Sequence, residues 1–152
     1  VQLDRDTWLT IVRHAPLISI DLVVTRPDSR VLLGLRENEP ACDTWFVPGG
    51  RILKNERLAD AFARLTRGEL GHQLPYREAT LLGAFEHLYD TNFARQPGIT
   101  THYVVLAHRV NVAADFAPEG DAQHRELRWW TAADMGSDPR VHPNTRAYAA
   151  CL

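Results

Sequence analysis

Cysteine is scarce in this chain, and its two copies, Cys42 and Cys151, lie far apart. Neither the paired spacing of a metal cluster nor the density of a disulfide-stapled secreted scaffold is present, so both read as free thiols. No apolar run approaches the ~20 residues that span a bilayer. The opening stretch VQLDRDTWLTIVRHAP carries Asp4, Arg5, Asp6 and Arg13 where a secretory signal has its apolar core. These absences predict a cytoplasmic protein with no membrane partner. Charge of one sign is missing too: the formal net charge is −2, and basic residues are scattered among acidic ones. Nucleic acid requires a dense positive stripe and is not expected as a partner, whereas a small phosphate ligand needs only a few arginines. Repeats, low-complexity tracts and Ser/Gly linkers are absent as well. With 152 residues, 45% of them hydrophobic and 24% charged, the chain is expected to form one domain, residues 1–152, around a single core.

What is present is local punctuation. Residues 4 to 13 form a short helix in this reading, with Trp8, Leu9 and Val12 on one side, ended by Pro16. LISIDLVVT (17–25) and VLLGLR (31–36) are β-rich runs separated by RPDS, which predicts a strand pair. WFVPGG (45–50) reads as a short strand broken by Pro48 and followed by a glycine turn. A helix is expected from Asn55, as its N-cap, to Gly71. Strands are expected at 79–89, 101–112 and 127–131, with closing helical pieces after Thr131, through a Thr-x-x-Asp cap, and at 143–151. Strands around one long central helix predict an α+β fold, a mixed-sheet sandwich and not an alternating α/β wheel.

The central helix carries a charge on its apolar stripe. At 100° per residue Leu58, Phe62, Leu65 and Glu69 share one face. Two accounts of Glu69 stand side by side. The last turn frays and releases the carboxylate to water, or the carboxylate is held by a cation, since an unpartnered one costs several kcal/mol to bury. Gly49 and Gly50, preceding the helix, allow a sharp turn that aims a carbonyl oxygen at the same point.

The spacing of Gly50, Glu56, Arg64, Glu69 and Gly71 resembles the loop-helix signature of the Nudix hydrolase superfamily. Two acidic positions of the usual signature are occupied here by Leu65 and Gly68. These departures, together with WFVPGGR, RLT with ELG, THYVVL, the Gln123–His124 pair, VLLGLR, the segment 87–93 and NTRAY, resemble the GDP-mannose mannosyl hydrolase family over almost the whole chain. The resemblance implies a Nudix-type α/β/α sandwich, with a mixed sheet around the loop-helix motif. It implies Mg²⁺-dependent hydrolysis of GDP-mannose or GDP-glucose to GDP and the free sugar, by attack of water at sugar C1 with inversion. One Mg²⁺ per subunit, with Mn²⁺ as a substitute, and a homodimer with a swapped N-terminal segment are implied with it.

Carried over by position, the resemblance implies that the Gly49 carbonyl, the Glu69 carboxylate and the Gln123 side chain hold the metal. His124 is then the general base, and Arg36 and Arg51 are catalytic arginines on the diphosphate. Trp8, Asp21, His87 and Tyr103 join the two arginines as substrate-binding residues. Structural accounts compete for several of them: Trp8 and Tyr103 as core aromatics, and Asp21 in an ion pair with Arg36 on the neighbouring strand. Arg64 is expected to pair with Glu56 in support. The family often has Lys-Arg where this chain has Leu35-Arg36, and a basic residue at Glu39, so both positions lower the charge expected near a diphosphate. Two rival activities remain at this stage, a pyrophosphohydrolase attacking phosphorus and a nucleotide-sugar-binding module without turnover.

Overall fold

In the computed structural model, residues 2–119 and 124–152 are described, the side chains of His124 and Arg125 excepted. The chain runs α1 (Arg5–His14), β1 (Leu17–Thr25), β2 (Val31–Arg36), β3 (Trp45–Phe46), β4 (Gly49–Arg51), α2 (Leu58–Leu70), β5 (Thr80–Tyr89), β6 (Thr101–Asn111), β7 (His124–Trp130), α3 (Ala132–Ser137) and α4 (Pro143–Arg146). A 3₁₀ turn, Ala147–Cys151, follows α4. No helix among the described residues is long and apolar enough to cross a membrane.

The sheet is mixed, as expected of an α+β sandwich. β1 runs parallel to β6 over nine paired positions, from Leu17 with Tyr103 to Thr25 with Asn111, and β6 is flanked antiparallel by β5. On its other side β1 meets β2 only at Thr25 and Val31, the turn predicted from RPDS. The two strands then diverge, β2 to pair with β7 and β3, and β1 to pair with β4.

Alternation along β1 sends its side chains to two different cores. Ile20, Leu22 and Val24 pack with Ala61, Phe62, Leu65 and Leu70 of α2. Val23, with Leu33 of β2, packs instead with Trp45, Phe46, Met135, Val141 and Tyr148 of the C-terminal segments. Those segments are tied to β3 by backbone bonds from Trp45 N–H to the Arg140 carbonyl, 2.9 Å, and from His142 N–H to the Trp45 carbonyl, 3.0 Å. Helical layers therefore cover both faces of the sheet. A smaller apolar group, Val12, Leu17 and Ile99 with Trp8 and Tyr103, seats α1.

Two expectations need correction. The helix does not begin at Asn55. That residue is in a left-handed turn, φ 67°, and α2 starts at Leu58 with Arg57 at its N-cap. Glu56 causes the delay: its Oε2 accepts from the Leu53 N–H at 2.9 Å, and its carboxylate takes both Arg64 nitrogens at 2.7 and 2.8 Å. The turn is thereby locked before the helix can propagate. The expected pairing of Arg64 with Glu56 is observed, and the same guanidinium also donates to the Arg51 carbonyl at 3.0 Å. The far end is as expected, with Gly71 at φ 73° and its N–H on the Arg67 carbonyl.

Second, Gly49 and Gly50 do not form a sharp turn. They lie in β4, opposite Asp21 and Ile20. Close approach to backbone requires glycine at Gly49, where a β-carbon would stand 2.4 Å from the Ile20 carbonyl oxygen; at Gly50 a β-carbon would stand 2.6 Å from Leu65 Cδ2, the end of a side chain that can shift. Gly68, in α2, would meet nothing within 4 Å. Gly49→Ala is therefore expected to lower stability by ~1–3 kcal/mol, the usual range for overpacking. Gly68→Ala should raise it by ~1 kcal/mol, through helix propensity. Chemical denaturation of both variants checks this, and a neutral Gly49→Ala would mean that β4 does not lie so close against β1.

Candidate active site

The divergence of β1 from β2 leaves a cavity of about 300 Å³ on the face of the sheet opposite α2. All six residues expected to bind substrate, Trp8, Asp21, Arg36, Arg51, His87 and Tyr103, line it, and Gly49 does too. They come from six different segments, so no local pattern assembles them.

At one side α1 delivers Trp8 beneath Arg51, whose guanidinium carbon lies 4.0 Å from the ring centroid. Phe93 closes the same corner, 6.0 Å from Trp8 centroid to centroid. The loop carrying Phe93 is pinned by Asn92, a buried amide that donates to the Gln96 and Ile99 carbonyls and accepts from the Ala94 and Gln96 N–H groups. Arg36 donates through Nε to the Pro40 carbonyl at 3.0 Å, which orients the guanidinium at the cavity wall.

Asp21 does not take Arg36 as its hydrogen-bond partner, contrary to one of the two expectations. Its Oδ2 accepts instead from the Tyr148 hydroxyl at 2.6 Å, and that hydroxyl lies 3.4 Å from His87 Nε2. Tyr148 comes from the C-terminal 3₁₀ turn and was not singled out from sequence. A lone Asp in an apolar strand signals that a buried donor must exist, but nothing in the spacing says where. All three residues are buried. Burial pushes the Asp21 carboxyl up to about 7, against the opposing pull of the Tyr148 hydrogen bond and the Arg36 charge. Burial, helped by His142, pushes the His87 imidazole down to about 4. Desolvation also raises the phenols of Tyr89, to about 12, and of Tyr103.

The expected metal ligands are distributed differently. Glu69 is 3% exposed on the buried face of α2, so it does not fray into water. It is absent from the cavity lining, whereas Gly49 is present. Gln123 lies outside the described residues. His124 is described by its backbone alone, which opens β7 opposite Arg36 and so sets its Cα beside a cavity-lining residue. Among the described residues no group of three or more His, Cys, Asp or Glu side chains is placed to hold a metal ion. A carbonyl oxygen and a buried carboxylate are nevertheless hard donors of the kind that Mg²⁺ accepts, and they leave coordination positions for a ligand's phosphate oxygens. Of the two departures that lower positive charge, Leu35 packs into the core beside Trp45 and Phe46 and does not reach the cavity. Glu39 does line the cavity, and it accepts from the Thr91 hydroxyl at 3.1 Å.

The displaced His87 and Asp21 values act on stability with opposite sign. His87 titrates near 6.5 when unfolded and near 4 when folded, so its contribution is present above pH 6.5 and is lost as pH falls from 6.5 towards 4. Asp21, raised from 3.8 to about 7, favours the fold at low pH and loses that contribution as pH rises through the same region. Comparison of wild type with His87→Gln isolates the histidine. Thermal melts of the variant should fall less steeply than wild type between pH 6.5 and 4, whereas parallel curves would mean that the folded imidazole titrates normally.

Comparison with known proteins agrees with this architecture. The NUDIX domain family matches residues 15–151. A curated relative, the low-salt glycan biosynthesis protein Agl8 of Haloferax volcanii, is 44% identical over 148 residues, covering 97% of this chain and 88% of the relative. Among solved structures, a MutT protein from Methanosarcina mazei superposes with a TM-score of 0.71 at 17% identity, covering 91% of this chain and 94% of that one. A MutT NUDIX hydrolase from Burkholderia pseudomallei gives 0.71 at 24% identity, with 90% and 98% covered. The NUDIX domain of NrtR from Shewanella oneidensis, solved with ADP ribose, gives 0.67 at 19% identity, with 98% and 97% covered. With its family match extending from just before β1 through the C-terminal 3₁₀ turn, the chain belongs to the NUDIX domain family.

Proposed function

We propose that this protein hydrolyses GDP-mannose, or its epimer GDP-glucose, to GDP and the free sugar, by attack of water at sugar C1 with inversion. The observation that carries the proposal is the meeting of two arginines, a tryptophan and a buried Asp–His pair in one cavity. Those are the groups such a substrate needs: cations for a diphosphate, an aromatic surface for a base, and hydrogen-bonding groups for a sugar. The similarity to a protein named for glycan biosynthesis supports a nucleotide-sugar substrate.

Cleavage on the sugar side of the glycosyl oxygen expels a diphosphate, which ionises readily. The charge that must be stabilised is therefore the leaving group's, and the sugar becomes oxocarbenium-like as the bond lengthens. Arg36 and Arg51 bind the diphosphate and strengthen their hold as its charge grows. Arg36 is held at its Nε by the Pro40 carbonyl. Arg51 is held from below by Trp8 and through its own carbonyl by Arg64. Tyr103 adds a phenol that remains protonated, and Trp8 offers the free part of its ring to guanine. Asp21 and His87 orient the sugar. His124 accepts the proton of the attacking water on the face opposite the diphosphate, which inverts the anomeric carbon.

Gly49, Glu69 and Gln123 would hold one Mg²⁺, or Mn²⁺ in its place, and the ion would supply electrophilic stabilisation of the departing diphosphate. In this reading the protein works in the cytoplasm as a homodimer, without nucleic-acid or membrane partners.

Hydrolysis in ¹⁸O-water tests the reaction. Label in the released sugar, with unlabelled GDP, is the expected result, and label in a phosphate product would assign attack to phosphorus and overturn it. No loss of GDP-mannose or GDP-glucose with Mg²⁺ would leave a binding module. Arg51→Ala should lower kcat/KM by about 10- to 100-fold, the loss of one charge-assisted contact. The melting temperature should fall only slightly, since among the described residues the side chain is held chiefly by its cation–π contact with Trp8. A large drop in melting temperature would instead make Arg51 a structural residue.

A further inference from the structure

Tyr148 is the largest side chain among the fully buried residues, and two different things are buried with it. The ring packs in the core, edge-on to Phe85 with centroids 4.9 Å apart. A phenylalanine would satisfy that contact equally well, so packing does not account for the hydroxyl. A buried hydroxyl costs free energy unless it is hydrogen-bonded, and this one is spent on the wall of the cavity, at Asp21 and His87.

We propose that Tyr148 is a positioning residue of the site, its hydroxyl donating to Asp21 Oδ2 and accepting from His87 Nε2–H, so that one phenol fixes both the carboxylate's orientation and the imidazole's tautomer. The inference rests on the reading of the cavity given above, in which Asp21 and His87 face the sugar.

Donor arithmetic carries it. A phenol has one proton, and above about pH 7, where Asp21 is ionised, the carboxylate can only accept, so the 2.6 Å contact takes that proton. That proton is therefore committed. The phenol oxygen then meets His87 only as an acceptor, so the histidine carries its proton on Nε2 and keeps Nδ1 as its lone-pair nitrogen. The tautomer is a meaningful quantity because burial keeps the imidazole neutral well below its ordinary value. Two neighbouring polar groups have partners of their own. Arg36 is bonded to the Pro40 carbonyl, and His142 Nδ1 accepts from the Asn144 N–H. The link joins residues 127 apart in sequence, so it ties the C-terminal 3₁₀ turn directly to the central strand of the sheet.

The experiment is a pair of measurements on wild type and Tyr148→Phe, which removes one oxygen and keeps the ring. Long-range ¹⁵N–¹H correlation spectra of histidine-labelled protein at pH 8 should show wild-type His87 as the Nε2–H tautomer. In folded Tyr148→Phe the resonances should shift towards a mixture or towards Nδ1–H. An unchanged imidazole in the folded variant overturns the proposal, and so does a wild-type His87 found as Nδ1–H, a result that does not require the variant to fold. Turnover of the nucleotide sugar forms the second arm. A kcat lower by about ten- to a hundredfold with KM within about twofold is expected, because the diphosphate arginines are untouched, and an unchanged kcat overturns the positioning role. The spectra need no substrate. Expected spectra from a wild-type protein that does not turn over nucleotide sugars would therefore sink the proposed reaction and leave the hydrogen-bond chain standing.

Discussion

Two missing β-carbons hold this molecule together at its working end. β4 lies so near β1 that any side chain at Gly49 would strike the Ile20 carbonyl, and α2 lies so near β4 that a side chain at Gly50 would have to displace the Leu65 side chain. The strand is thus clamped between sheet and helix with its backbone as the filling. The clamp decides where Arg51 stands, one residue further along the same strand and opposite Ser19. It also sets Gly49 opposite Asp21, which brings the loop-helix motif and the central strand to the same cavity. Arg64 reinforces the arrangement from the helix side, holding the Arg51 carbonyl and the Glu56 carboxylate at once. That pair is partly exposed, so its value is geometric more than energetic.

The parts of the fold that could be read from the sequence are those decided by neighbours in the chain. Thr131 caps its helix as a Thr-x-x-Asp start should, and Gly71 ends α2 in the left-handed region. RPDS turns β1 into β2. Asn55 misled because its side chain suits an N-cap, while a tertiary bond network around Glu56 spends that residue on a turn. The glycines misled for a related reason. Glycine permits both a sharp turn and a close approach, and only the position of Ile20 and Leu65 in space distinguishes them.

For the site the division is similar. The family resemblance, carried over position by position, pointed to all six residues that were expected to bind substrate and that line the cavity. Tyr148 was passed over because its contribution is a single oxygen at the end of a core aromatic, and hydropathy patterns register the ring and not the hydroxyl. The Arg36–Asp21 pairing failed on geometry. β1 and β2 share a turn but meet at only one paired position before separating, so the two side chains face one cavity and Arg36 acts on Asp21 through its charge, while the hydrogen bonds of each go elsewhere.

The cavity is electrically asymmetric, and the asymmetry follows from burial. Arg36 and Arg51 supply positive charge, while the deeper Asp21 and His87 are both driven by desolvation towards their neutral forms. On the proposed reading, a diphosphate would meet charge where it needs it, and a sugar would meet uncharged or weakly charged hydrogen-bonding groups. The one feature that cuts against this division is Glu39, a carboxylate on the cavity lining that is held by the Thr91 hydroxyl. A bonded carboxylate fixed in position repels an incoming anion more than a freely moving one that can turn away into water. Leu35, by contrast, is absorbed by the core and leaves the field of the cavity unchanged. Of the two departures from the family's charge pattern, it is therefore Glu39 that bears on the affinity of this site for a phosphate-bearing ligand.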